Sequence, residues 1–397
     1  RSRQQPAYRE RLFERFGRVP RAHEGVAVWV HAVSVGESLA ALPLIEHLVE
    51  RHGNGRVWVT TTTPTGSERI QAAFGTRVIH TYGPYDVPPA VRRFLDQARP
   101  SQAVIMETEL WPTLFRHLRE RGIPLTIANA RLSPVSFKGY ARVAGFAREV
   151  LSDVSLVAAQ SPLDAERFSK LGAPRVSVIG NLKFDIDPPM EQIEAGQALR
   201  QRLGADHPVW VAASTHEDEE SAALEAHREI RQRFAQARLI LVPRHPQRFD
   251  EVAQAIERAG VAFQRRSELH ADSVVDAEVL LGDSLGEMWM YLAASDAAFV
   301  GGSLVPIGGH NVLEPAALGL PVMFGPHMHN FLPARELLLE AGAAQQIEEG
   351  RAIAAQMIEW LANPALRTRM GMAGREAVHA NRGALARLLK SLEANEL

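Results

Sequence analysis

A glutamate stands where a nucleotide-binding turn would carry bare glycines. In WVHAVSVGES (29–38) the apolar run at 26–32 reads as a buried strand, and Leu39, Leu42, Ile45, Leu48 and Val49 follow at helical spacing. The turn between them holds one glycine, Gly36, and one acid, Glu37. A dinucleotide fingerprint would need G-x-G-x-x-G at this point. A phosphate beside Glu37 would be repelled. A carboxylate on a loop at the carboxyl end of a first strand points instead to acid–base chemistry.

Other chemistry-bearing residues also come directly after apolar runs. ETELWP (107–112) presents Glu107 directly at a strand end, which makes it the better site candidate of its two acids. Glu109 reads as an acid favoured by the dipole of a starting helix. In ANARLS (128–133), Arg131 suits an anionic group. Lys183 in NLKFD (181–185) would sit beside a phosphate leaving group. Further on, Pro243-Arg244-His245-Pro246 restricts an arginine between two prolines, so little freedom is lost on binding phosphate. LGDSLGEM (281–288) brings Leu285, Gly286 and Glu287 to the start of a helix whose free N–H groups could meet base or phosphate. GGSLVPIGGHNVLEP (301–315) is the strongest motif, with four glycines allowing close backbone approach. There Asn311 and Glu314 fit either a capping box or ribose recognition by the acid. His31, His216, His245 and His310 border these loops and read as polar wall residues. No H-x-x-x-H, C-x-x-C or D-x-D cluster occurs, so no catalytic metal is expected.

These loops need elements to carry them. Strands are expected at 26–32, 56–62, 77–80, 102–106, 124–128, 154–159 and 175–179, and again at 208–213, 238–243, 261–265, 278–281, 296–300 and 320–324. Strands alternating with helices argue for parallel α/β sheets. The two series start alike, with Val28-Trp29-Val30 matched by Val209-Trp210-Val211. The expectation is an α/β chain of two Rossmann-like domains, 1–185 and 206–397, joined by a linker at 186–205 that Pro188-Pro189 marks. Ligands would lie beyond the carboxyl ends of the strands, in a cleft shared by the two domains.

A chain of 397 residues supports two domains, and 46% hydrophobic with 23% charged residues is a soluble globular composition. The net charge of −2 gives no nucleic-acid signal, and the absence of cysteine excludes disulfides and thiolate metal sites. The charge is uneven. Residues 1–22 carry seven arginines against Glu10 and Glu14, net +5, with Tyr8, Leu12, Phe13 and Phe16 interleaved. Two readings stay open for this segment. It is a helix docked by its aromatic side, or a membrane-surface segment drawn to anionic lipid by about 1 kcal/mol per basic residue. The chain begins at Arg1, so residues upstream are expected to have been removed. The longest apolar run, 288–294, is too short to span a bilayer.

HAVSVGE (31–37), TTTPTGSER (61–69), METELWP (106–112), ANARLS (128–133), NLKFD (181–185), STHEDEE (214–220), LVPRHPQRF (241–249) and GGHNVLEP (308–315) together resemble the 3-deoxy-D-manno-oct-2-ulosonic acid (Kdo) transferases. The resemblance runs in order over essentially the whole chain. It implies the GT-B architecture, inverting transfer of Kdo from CMP-Kdo to the lipid A precursor in lipopolysaccharide synthesis, and no cofactor. It also implies a place on the cytoplasmic face of a Gram-negative inner membrane, through an upstream anchor. Residue by residue, it makes Glu37 the general base and Glu107 and Lys183 the stabilisers of the transition state. Pro243, Arg244, Leu285, Gly286, Glu287, Asn311, Val312, Leu313 and Glu314 would contact CMP, and Arg131 and Ser133 the acceptor. The helix start beside Glu37 is expected to keep it ionised. Competing readings are another GT-B nucleotide-sugar transferase or epimerase, and a two-lobed binding protein without chemistry.

Overall fold

The computed structural model describes residues 10–22, 24–270 and 273–394. They form two compact units: the first runs to Asp185 and resumes at Asn381, and the second spans Ile186–Ala380.

Unit 1 is built on β1 (Val26–Ala32), β2 (Val57–Thr61), β3 (Ile79–Tyr82), β4 (Pro100–Met106), β5 (Leu125–Ala130), β6 (Leu156–Ala159) and β7 (Val176–Val178). All pair in parallel, in the order β3-β2-β1-β4-β5-β6-β7. Unbroken apolar strands suit a parallel sheet because helices cover both its faces. Trp29 joins the core on one face with Phe94, Phe115 and Phe168, while Val28 and Val30 join Leu44, Ile45 and Leu48 on the other. The indole N–H groups of Trp29 and Trp58 donate to Thr60 and Thr81, so neither is buried unpaired.

Unit 2 contains β8 (Val209–Thr215), β9 (Arg238–Pro243), β10 (Phe263–Arg265), β11 (Val279–Leu281), β12 (Ala297–Val300), β13 (Val322–Phe324) and β14 (Ala344–Gln346), again all parallel, in the order β10-β11-β9-β8-β12-β13-β14. The strand order reverses between β1 and β4 in one sheet and between β8 and β12 in the other. Loops leaving neighbouring strands part to opposite sides there, which opens a crevice at the carboxyl ends.

The expected α/β class with a parallel sheet in each half is the one observed, and β14 adds a strand to the thirteen expected. Two boundaries differ from expectation. Residues 186–205 are no linker: Met190–Leu203 is a helix of unit 2. Gly196 lets it approach the helix Met288–Ala293, since an added Cβ would lie 2.5 Å from the Ala293 Cβ. Arg200 fastens it further by donating to the Ala294 and His207 carbonyls. The C-terminal helix Ala384–Glu393 belongs to unit 1, not to the second domain, because Ala384, Leu388 and Leu392 fill the core beside Val28 and Val30.

Of the basic N-terminal segment, Arg1, Arg3, Arg9 and Tyr8 lie outside the described residues. A short 3-10 helix, Leu12–Phe16, docks on β3. Arg15 is buried, donates to the Thr62 carbonyl and lies over the Tyr82 ring, as does Arg11. Glu14 accepts from the Tyr82 N–H. Phe13 remains 69% exposed. No helix among the described residues is long and apolar enough to cross a membrane.

Candidate active site

At the β1/β4 crevice of unit 1, a cavity of about 330 Å³ is lined by Glu37, Glu107, Thr108, Glu109, Arg131, Ser133 and Ser136. The sequence candidates Glu37, Glu107, Arg131 and Ser133 thus meet in one place.

Glu37 sits in the first turn of the helix Val35–His52 and is 6% exposed. Ser34 caps that helix, accepting from the Glu37 N–H. In return Glu37 accepts from the Ser34 hydroxyl and the Val33 N–H, both at 2.8 Å. This reciprocal pair is a variant of the capping box in which the acid reaches the N–H one residue before the cap. Burial raises the Glu37 pKa to about 7, with Glu107 and Glu109 adding to the rise against the two hydrogen bonds. The expectation of a carboxylate held ionised by the helix start is therefore corrected: desolvation and two neighbouring acids outweigh the dipole.

Glu107 follows β4 with φ of 57°, a left-handed conformation costly for a residue with a Cβ. Its N–H is held by the Ala128 carbonyl. Lys183 Nζ lies 3.8 Å from Glu107 Oε1. The loop bearing Lys183 is tied down by Asn129, whose side chain accepts from the Leu182 N–H, and by Asn181, which accepts from the Lys183 N–H. Asn129 lies in a bulged stretch of β5 with φ of 55°, and no local pattern in the sequence marks this role for it. Glu109 precedes the helix Pro112–Glu120 and lines the cavity, so it is no helix-dipole acid; burial and Glu107 raise its pKa. Ser133 caps the helix Pro134–Ala141, and Arg131 is exposed at the rim. His31 is not a wall residue but a core one. It lies under the site, bonded to Thr60 at 2.7 Å, and burial lowers its pKa to about 4.

In unit 2 the other candidates lie on the loops that follow β9, β11 and β12. Pro243 ends β9, and the Arg244 N–H donates to the Thr215 carbonyl. Arg244 acts electrostatically on Glu314, whose pKa burial raises and Asn311 and Arg244 lower. Asn311 donates to Glu314 at 3.0 Å and accepts from the Leu313 N–H, but the helix Leu313–Ala317 starts after Val312, so this is a side-chain pair and not a capping box. Leu285 is exposed, Gly286 has φ of 80°, and Glu287 accepts from Ser284 and Arg266.

The glycine loop has its backbone partner within unit 2. The N–H groups of Gly302, Ser303 and Leu304 donate to the Glu219 carboxylate at 2.6, 3.0 and 2.9 Å, and the His216 N–H joins them at 3.0 Å. Glu219 is 1% exposed. The loop's amides therefore cradle an internal anion and are not free for phosphate. Glu219 is one of four consecutive acidic residues, and the run as a whole does not single it out. The available signal is its position, the first helical turn after a leading strand, the same place that Glu37 holds in unit 1.

Residues 10–186 match the family model described as 3-deoxy-D-manno-octulosonic-acid transferase (kdotransferase). The chain is 40% identical over 393 residues to a 3-deoxy-D-manno-octulosonic acid transferase of Haemophilus influenzae, covering 98% of this chain and 92% of the relative. It is likewise 40% identical to the Bordetella pertussis transferase of the same name, covering 96% and 90%. Among solved structures, a glycosyltransferase from Rickettsia africae superimposes with a TM-score of 0.57 at 14% identity, covering 94% of this chain and 98% of that one, a likeness of GT-B fold alone. With two relatives matched over nearly their whole length, the chain belongs to the 3-deoxy-D-manno-octulosonic acid (Kdo) transferase family of glycosyltransferases.

Proposed function

We propose that the chain transfers Kdo from CMP-Kdo to a hydroxyl of the lipid A precursor with inversion at the anomeric carbon. The observation that carries this reading is Glu37: a buried carboxylate on a cavity wall, with a pKa of about 7. A base poised near the working pH is half ionised, yet basic enough to take a proton.

The acceptor hydroxyl loses its proton to Glu37 as its oxygen bonds to the anomeric carbon. On the opposite face the bond to the phosphate oxygen breaks, and CMP leaves with that electron pair as a stable anion. No acid is needed to protonate the leaving group. Lys183, beside Glu107, supplies positive charge to the transition state, and Glu107 orients that ammonium. Arg131 and Ser133, on the same cavity wall, contact the acceptor. Pro243, Arg244, Leu285, Gly286, Glu287, Asn311, Val312, Leu313 and Glu314 contact CMP, with Glu314 suited to ribose hydroxyls. The reaction uses neither metal nor cofactor. A lipid acceptor places the work at a membrane surface, and the exposed Phe13 beside Arg18 suits that contact.

Glu37→Gln keeps an acceptor for the capping bonds and removes the base. Transfer of Kdo to tetraacyl lipid A precursor, followed by mass analysis, should fall by about 10²–10⁴-fold. CMP binding should stay within about twofold, because the CMP contacts lie in the other unit. Undiminished transfer in this variant would sink the mechanism.

A further inference from the structure

Because Glu219 occupies the amides of residues 302–304, side chains at the β8/β12 crevice gain weight as partners for the donor's phosphate. Three imidazoles stand at that crevice, each on a different loop: His216 after β8, His245 after β9 and His310 after β12. His216 and His310 are stacked, ring centroids 5.1 Å apart and 4° from parallel, with their Nε2 atoms 2.8 Å apart. His245 meets His216 edge-on at 5.2 Å. A hydrogen bond between two Nε2 atoms needs one to donate and the other to accept, so the accepting nitrogen carries no proton. Gly302 makes the arrangement possible: its φ is +65°, and a Cβ there would lie 2.8 Å from the His310 ring.

Burial, Arg244 and the other two imidazoles lower the His310 pKa to about 3. Burial also lowers that of His216, with Glu219 pulling upward and His245, Arg244 and Arg248 downward. For His245 the causes are burial, Arg244 and Arg248. Arg248 itself is engaged by Glu220 at 2.8 Å. These shifts favour the neutral imidazoles beside Arg244, and an arriving anion would oppose them.

We propose that the His216–His310 pair seats the donor's phosphate and takes up one proton from solvent as the nucleotide binds. The proton ends on the Nε2 that accepted the bond between the rings, that bond opens, and the new imidazolium N–H turns to a phosphate oxygen. No covalent bond changes. Product CMP, with the more highly charged phosphate, draws the proton more strongly than the donor does. This inference rests on the reading that unit 2 binds CMP.

The test is calorimetry of CMP binding to the full chain at pH 7, in two buffers of different ionisation enthalpy. About one proton should be taken up per CMP bound, and affinity should weaken as pH rises. His216→Asn and His310→Asn should each abolish the uptake and weaken CMP binding about tenfold or more, while cytidine, which lacks the phosphate, binds each as it binds the wild type. Unchanged cytidine affinity also reports that the variants have folded. CMP binding to the wild type without proton uptake overturns the proposal, as does uptake that persists in both variants. Binding of UDP but not CMP, with the same uptake, would remove the CMP reading and leave the imidazole pair standing. Failure of both nucleotides to bind removes both.

Discussion

Glu37 has two tasks that pull its protonation in opposite directions. As part of the cap it accepts two hydrogen bonds, which favour the carboxylate; buried beside Glu107 and Glu109, it is pushed toward the acid. The balance at about 7 has a sign that can be checked. The base proposed for the reaction is the ionised form, so the transfer rate should rise with pH and level off above about 7, and Glu107→Gln should move that midpoint down. Stability runs the other way. A carboxyl whose pKa is higher folded than unfolded binds more protons in the folded state between those values, so folding weakens as pH rises through that window. Thermal unfolding of Glu37→Gln should lack this decline. Glu37, Glu107 and Lys183 were legible from their positions after strand-like runs. The pKa of Glu37 was not, because the dipole is local to a helix while burial comes from residues distant along the chain.

At the scale of the element, the glycine loop of unit 2 is held open by an acid from the neighbouring helix. Glu219 satisfies four backbone N–H groups that would otherwise be buried without acceptors, at about 1–3 kcal/mol each. Glu219→Ala should therefore destabilise unit 2 by about 3 kcal/mol or more in urea unfolding, and amides 302–304 should lose their protection from hydrogen exchange. Retained protection in a folded variant would show that the loop supports itself. The glycines announced that backbone comes close to something; they did not say that the something is Glu219. Only the pairing of β8 with β12 brings residue 219 to residue 302. The one missed strand, β14, reads Ala-Gln-Gln, with neither alternation nor an apolar run to mark it.

Over the whole molecule, the chain leaves unit 1 at Asp185 and returns to it at Asn381. The two crossings are tied together inside unit 1: the Asp185 carboxylate accepts from the Gly383 and Leu385 N–H groups, each at 2.5 Å, and so caps a helix far along the chain. Arg387 adds a bond to the Ile179 carbonyl. Asp185→Ala should cost unit 1 about 0.5–2 kcal/mol, the usual loss for a helix cap. Hydrogen exchange should then rise in β1 and in the helix Ala384–Glu393, while CMP binding and exchange in β8 and β9 stay as they were. Equal loosening of both units would contradict this assignment.

The sequence alone determined the class, the count of Rossmann-like halves, nearly every strand and four residues that meet on one cavity wall, Glu37, Glu107, Arg131 and Ser133. Each of these is written in local periodicity and in the residue types found just past a strand end. Tertiary structure decided what the local pattern cannot carry. It assigned the final helix to the first unit, since an amphipathic face says only that some core is waiting for it. It turned the glycine loop inward onto Glu219, brought His216 and His310 together from 94 residues apart, and raised the Glu37 pKa to about 7. Each of those depends on which strands lie side by side, and on how much water they leave behind.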